Sequence, residues 1–253
     1  MKTRPSIRTC GFTLLETVIA IGVLAVLLTG FMVVFAPAAD GIRKSINVQQ
    51  ADRMASALEQ ELVTLRSGEE TPDIKTGFDK AFERIRQSGS TSPNEALFVY
   101  QYRAKFPFTK RSPDDGTSAP EPKLDGKPGE AYVVVPMVRR RSDSKLKEDL
   151  EAVEGAVYLV KCNQLVFNGG QLEVTKNPGT IRNPKPNSSP ADPDYKAGPF
   201  TKAADYPEAV IAFSAEFYQM PAKTMAYFEG TTFNKNFPNL KNPVFTRNLA
   251  VRR

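Results

Sequence analysis

The chain of 253 residues contains no histidine. The side chain that most often serves as general base or metal ligand near neutral pH is therefore missing. Only two cysteines occur, Cys10 and Cys162, and no carboxylates cluster around them. A transition-metal site needs a richer donor set than that. The chain also lacks G-x-x-x-x-G-K-[ST], G-x-G-x-x-G and G-x-S-x-G. The phosphate cradles and the nucleophile turn that those patterns build are thus not indicated. Asp114 and Asp115 are adjacent acids that could touch Ca²⁺, but two neighbours do not make a calcium loop, and a solvated pair is the simpler reading. These absences point away from an enzyme and imply no cofactor and no metal.

What the chain does have is concentrated near its start. Residues 17–36 read TVIAIGVLAVLLTGFMVVFA, a run of twenty residues without a charge. As a helix, about 20 residues at ~1.5 Å each cross the ~30 Å core of a bilayer. Lys2, Arg4 and Arg8 precede the run. Such a basic leader favours the cytoplasmic side and places the bulk of the chain outside. Arg43 and Lys44 on the other flank weaken that asymmetry slightly. The anomaly is Glu16, an acid at the head of the apolar run. A carboxylate near hydrocarbon costs several kcal/mol on an order-of-magnitude scale and calls for a partner.

Gly11-Phe12-Thr13-Leu14-Leu15-Glu16, followed by an unbroken apolar helix, resembles the N-terminal signal of type IV pilins and type II secretion pseudopilins. The resemblance covers about the first 55 residues. It implies that a prepilin peptidase cuts between Gly11 and Phe12 and that Phe12 becomes an N-methylated first residue. It also implies that Glu16, then the fifth residue, pairs with the Phe12 amine of a neighbouring subunit and sets register in a filament. Physical chemistry offers the same carboxylate a partner in its own chain, because the new Phe12 ammonium would lie about one turn away. An unpaired charge there is costly and a paired one much less so, which makes assembly selective.

Two other readings of this region compete. Ala36-Pro37-Ala38 resembles a signal-peptidase site, but the apolar run exceeds the ~7–15 residues of an ordinary signal core and leaves Glu16 without a role. A plain signal-anchor helix is the other. Lipidation at Cys10 fails because no apolar segment precedes it. Removal of the leader would lower the formal charge from +6 to about +3 and leave Cys162 alone, so no intramolecular disulfide could form.

Downstream, Pro37 is expected to kink a helix over 12–66 that spans the membrane over about 17–36. Ile42, Ile46, Ala51, Met54, Ala55, Leu58, Leu62 and Leu65 recur three or four apart and give that helix an apolar stripe, with Ser67-Gly68 as a stop. A second helix is expected over 75–87, with Phe78, Phe82 and Ile85 on one face. Strands follow over 96–106, where Phe98, Tyr100 and Tyr102 share a face, and over 132–138, where Pro136 marks an edge or an end. Residues 145–154 read as a surface helix. Residues 156–160 and 164–167 read as apolar runs before an Asn168-Gly169 hairpin turn, with Cys162 as a small strand or turn residue. Further strands are expected over 210–217, with one buried face, over 225–228 and over 244–251. Residues 107–130 and 176–207 are polar, proline-rich stretches read as long irregular loops.

The expected fold is α+β: a long N-terminal helix, its first half membrane-embedded, packed on an antiparallel sheet in a pilin-like globular domain over 67–253. The expected function is that of a structural subunit, a pseudopilin or minor pilin, with prepilin peptidase, other subunits and inner-membrane lipid as partners. It would be a single-pass inner-membrane protein, N-terminus cytoplasmic and globular domain periplasmic or extracellular. A filament-displayed module that binds DNA, a surface or a secreted substrate is the alternative, with an exported signal-anchored binding protein behind it. Arg139-Arg140-Arg141 and Arg252-Arg253 could touch phosphates, yet a short arginine run is more often a solvated strand end, so nucleic acid is disfavoured. Asn187-Ser188-Ser189 matches a glycosylation sequon, a pattern common by chance in polar loops.

Overall fold

The computed structural model describes residues 13–65, 70–107, 119–124, 129–185 and 196–253. The chain divides into two units, Met1–Ile46 and Asn47–Arg253. The first consists, among its described residues, of the N-terminal part of helix α1 (Leu14–Val63), which runs on through Pro37. Its apolar side chains are exposed, and Ile42 and Ile46 are exposed with them. Of the apolar stripe expected from Ile42 onward, Met54, Ala55, Leu58 and Leu62 are buried, while the two isoleucines belong to a unit that builds no core among its described residues.

The second unit is α+β. Its sheet holds β1 (Leu97–Lys105), β2 (Tyr132–Arg140), β3 (Val153–Asn168), β4 (Gln171–Val174), β5 (Val210–Gln219) and β6 (Phe245–Arg252). Among the described residues every strand pairing is antiparallel, and the order is β2-β1-β3-β5-β6, with β4 attached to β3 alone. Pro136 sits in edge strand β2, where a missing N–H is tolerated.

Alternation along the strands creates two cores, one on each face of the sheet. On one face Leu97, Val99, Val160, Cys162, Phe213, Ala215, Phe217, Leu249 and Val251 pack with Met54, Ala55, Leu58 and Leu62 of α1. Helix α2 (Gly77–Ser88) adds Phe78, Ala81, Phe82 and Ile85 to that core. It begins with a reciprocal cap between Thr76 and Asp79, and Lys80 is buried against α1, donating to Glu61 and to the Thr64 carbonyl at 2.9 and 2.7 Å. On the other face Phe98, Tyr100, Tyr102, Leu159 and Tyr218 meet Leu146 and Leu150 of α3 (Leu146–Glu151) and an aromatic group of Phe228, Phe233 and Phe237. That second core corrects the expectation of a single buried face on β5: Tyr218 points to one core while Phe217 points to the other.

Several local expectations change for identifiable reasons. The runs 156–160 and 164–167 form one strand, β3, of 16 residues, because both sides of it find hydrogen-bonding neighbours. The turn after it is Gly169-Gly170, with φ of 57° and 84°, rather than Asn168-Gly169, since Asn168 already pairs with Gln171. Positive φ at both central residues suits the right-handed twist of a hairpin. Residues 225–228 fall in helix α4 (Met225–Glu229), followed by α5 (Thr231–Asn236), where a strand was expected. The aromatic spacing of Phe228, Phe233 and Phe237 buries all three on the second core, and local β-propensity yields to that packing. Helix α3 is not a surface helix, since Leu146, Asp149 and Leu150 are buried.

The polar stretches also contribute. Residues 121–123 lie along the end of β1, with Lys105 N–H donating to the Glu121 carbonyl and Lys123 N–H to that of Arg103. Ile181, Phe200 and Tyr206 are buried in the first core. At Gly89 and Gly179 the end of α2 meets the 178–179 turn backbone to backbone. A Cβ on Gly179, whose φ is 73°, would overlap the Arg86 carbonyl oxygen. Gly179→Ala is expected to destabilise this unit by about 2–4 kcal/mol through clash and positive φ together. Thermal unfolding followed by circular dichroism measures it, and a midpoint within experimental error of wild type would refute the close approach.

Candidate functional site

The functional expectation centres on Gly11, Phe12 and Glu16. Gly11 and Phe12 lie outside the described residues. Thr13 and Glu16 do not, and they form a closed local unit at the start of α1. The Glu16 N–H donates to Thr13 Oγ1 at 3.3 Å, while the Thr13 N–H and hydroxyl both donate to Glu16 Oε2, at 3.0 and 2.9 Å. This is a capping box, in which an N-terminal threonine and the residue three positions later satisfy each other's exposed backbone donors. The acidic side chain also complements the positive end of the helix dipole. The signal for it, T-x-x-E before an apolar run, is legible in the sequence and gives Glu16 a local role besides that of a partner for a terminal amine.

Beyond Glu16, Leu14–Ile42 is long and apolar enough to cross a membrane by length and composition, with a mean hydropathy of 2.8 in its most apolar stretch. That is wider than the 17–36 expected. Two of its hydroxyls are satisfied within the helix: that of Thr17 donates to the Leu14 carbonyl and that of Thr29 to the Ala25 carbonyl, each at 2.8 Å. A helix in hydrocarbon has to satisfy its polar groups internally, and these two do so.

The other candidate residues take structural places or lie out of view. Asp114, Asp115 and Asn187 fall outside the described residues. Cys162 is buried between Ser88 and the core, and burial pushes its thiol up to about 12, against a weaker pull from the Ser88 hydroxyl. A thiol held so far from ionisation is a poor nucleophile.

The arginine run is neither a solvated strand end nor a free cationic patch, which corrects both readings of it. Arg139 is 4% exposed. Its Nε donates to Asp149 Oδ2 at 2.7 Å, and Nη1 to Asp143 Oδ2 at 2.8 Å. Tyr100 donates its hydroxyl to the same Asp149 oxygen at 2.6 Å. Burial alone would work against the Arg139 charge, but Asp149 beside it, with Tyr100 and Asp143, holds the guanidinium above its ordinary value. The Tyr100 hydroxyl is raised well above its usual range by burial and by the Asp149 charge. Arg140 reaches Glu95 and Gln87, and Arg141 reaches Asn234 while lying over the Phe233 ring. Arg253 donates to the Ala203 and Tyr206 carbonyls and covers Phe78. No sequence signal brings Tyr100, Arg139 and Asp149 together, because strand pairing and helix docking do so.

No protein-family model, no curated protein and no solved structure matches the chain. The functional reading therefore rests on the residues themselves.

Proposed function

We propose that the chain is a structural subunit, a minor pilin or pseudopilin, that prepilin peptidase cleaves between Gly11 and Phe12 and that enters a filament through its N-terminal helix. The observation that carries this reading is Glu16. It is an acid at the head of an apolar segment, Leu14–Ile42, long enough to cross a membrane, directly before a charge-free run over 17–36, and it lies four residues after Phe12 in a pilin-type hexad. An acid at that depth needs a function to offset its cost.

Cleavage would expose an ammonium at Phe12, and the Glu16 carboxylate is its natural counter-ion, in the same chain or in a neighbour. The capping box holds Glu16 Oε2 against Thr13, so a second cation would approach a carboxylate already oriented by its own helix. The basic leader supports a cytoplasmic N-terminus before processing, with residues beyond the span outside the inner membrane. Intact-mass and N-terminal peptide spectrometry on protein from a host with active prepilin peptidase tests the proposal. The expected first residue is Phe12, carrying one added methyl group. A mature chain beginning at Ala39 or Asp40 would instead establish ordinary signal-peptidase export.

A further inference from the structure

The open side of β6 is a second feature that the assembly reading does not use. Among the described residues β6 is the last strand in the sheet order and pairs only with β5. Arg253 N–H donates to the Ala209 carbonyl, and the register places Val251 opposite Ile211, Leu249 opposite Phe213 and Arg247 opposite Ala215. In an antiparallel ladder hydrogen-bonded and non-bonded pairs alternate. The backbone groups of Arg247, Leu249 and Val251 thus turn toward β5, and those of Thr246, Asn248, Ala250 and Arg252 turn outward. No backbone partner for these four occurs among the described residues, and their side chains are all exposed.

The two edges of the sheet differ. β2 carries Pro136, a residue that blunts strand pairing. β6 is eight residues long, without proline or bulge. A row of outward N–H and C=O groups at alternate residues matches one kind of ligand, an extended polypeptide that adds itself as a further strand.

Charge narrows the ligand further. β6 and the residue after it carry Arg247, Arg252 and Arg253 and no acid. Arg247 is ion-paired with Asp52, and Arg253 is held by two carbonyls. Arg252 is exposed and has no ion pair among the described residues. A second copy's β6 offers Arg252 only further cations and no acid, and its β2 carries Pro136 and no acid. Like charges opposite one another disfavour pairing. We infer that β6 is a strand-addition site for an extended, acid-bearing segment of a different polypeptide. This holds whether or not the chain is processed at Gly11.

The test uses the full chain in detergent micelles and a labelled eight-residue peptide of alternating threonine and valine with glutamate at both ends. Fluorescence anisotropy is expected to show binding about fivefold tighter than for the same peptide with lysine at its ends, a preference that Arg252→Glu reverses. Ala250→Pro removes an outward N–H that the fold does not use and should weaken binding at least tenfold, with the circular dichroism spectrum unchanged. N-methylation of alternate peptide residues should abolish binding to the wild-type chain, and this arm stands even if the proline variant fails to fold. Absence of binding, or binding indifferent to N-methylation, would overturn the inference. So would amides of Asn248 and Ala250 that resist hydrogen exchange in the chain alone in a concentration-dependent manner, since a second copy would then occupy the edge.

Discussion

Replacing Arg139 by leucine is expected to destabilise the Asn47–Arg253 unit by about 3–5 kcal/mol. The Asp149 side chain is completely buried, and Arg139 supplies its compensating charge at 2.7 Å. Without the guanidinium, the carboxylate keeps the neutral Tyr100 hydroxyl but loses its compensating charge. It must then either stay charged in a poorly solvating interior or take up a proton, and both cost stability. Asp143 is less affected, because it is partly exposed and water can replace its lost partner.

The sign of the pairwise interaction is accessible through a cycle. Arg139→Leu combined with Asp149→Leu should cost clearly less than the sum of the two single changes, since removing both charges removes the orphan. Adding Tyr100→Phe should recover more, by deleting the hydroxyl left without its acceptor. Chemical or thermal unfolding of wild type, the two single variants, the double and the triple variant measures this. A single-variant loss under about 1 kcal/mol, or simple additivity, would show that the buried pair does not hold α3 to the sheet.

Glu16→Leu is the second large effect. Processing should persist, since Gly11 and Phe12 are unchanged, while incorporation into an assembly should fall to background. The substitution removes two things, the reciprocal cap with Thr13 and the negative charge. Glu16→Gln separates them. An amide oxygen can still accept from the Thr13 N–H and complete a capping box, but it cannot neutralise an ammonium. Loss of the cap alone would weaken the helix start by about 1 kcal/mol, a modest effect in a helix of 50 residues. If Glu16→Gln assembles normally, the cap is what matters and the Phe12 amine finds its counter-ion elsewhere. If it fails as Glu16→Leu does, the charge is the assembly contact. Immunoblotting of sheared filament and membrane fractions distinguishes the outcomes.

The parts legible from sequence share a cause: they are encoded by local pattern. The apolar run, the α2 face of Phe78, Phe82 and Ile85, the alternation of Phe98, Tyr100 and Tyr102, and the edge proline in β2 each follow from periodicity over a few residues. The capping box at Thr13 and Glu16 was equally local. The misread segments depend on distant partners. Residues 225–228 look strand-like, yet form α4 because Phe228 packs against Phe98, whose ring centroid lies 4.4 Å away. Residues 176–207 look like polar loop, yet Ile181, Phe200 and Tyr206 complete the first core.

The N-terminal segment follows from its own residues: its uncharged length, the acid at its head, the basic leader before it and the helix that begins at Leu14. Those properties need no partner, since a single helix satisfies its own backbone and its side chains meet whatever surrounds it. The fate of the charges in the second unit depended on contacts between distant segments. Arg139 became a buried counter-ion because β1, β2 and α3 converge on Asp149. Arg252 has no ion pair among the described residues, where β6 ends the sheet. The sequence shows the same residue type at both places. Burial and strand order, which arise from contacts between residues far apart in the chain, made one structural and left the other open to a partner.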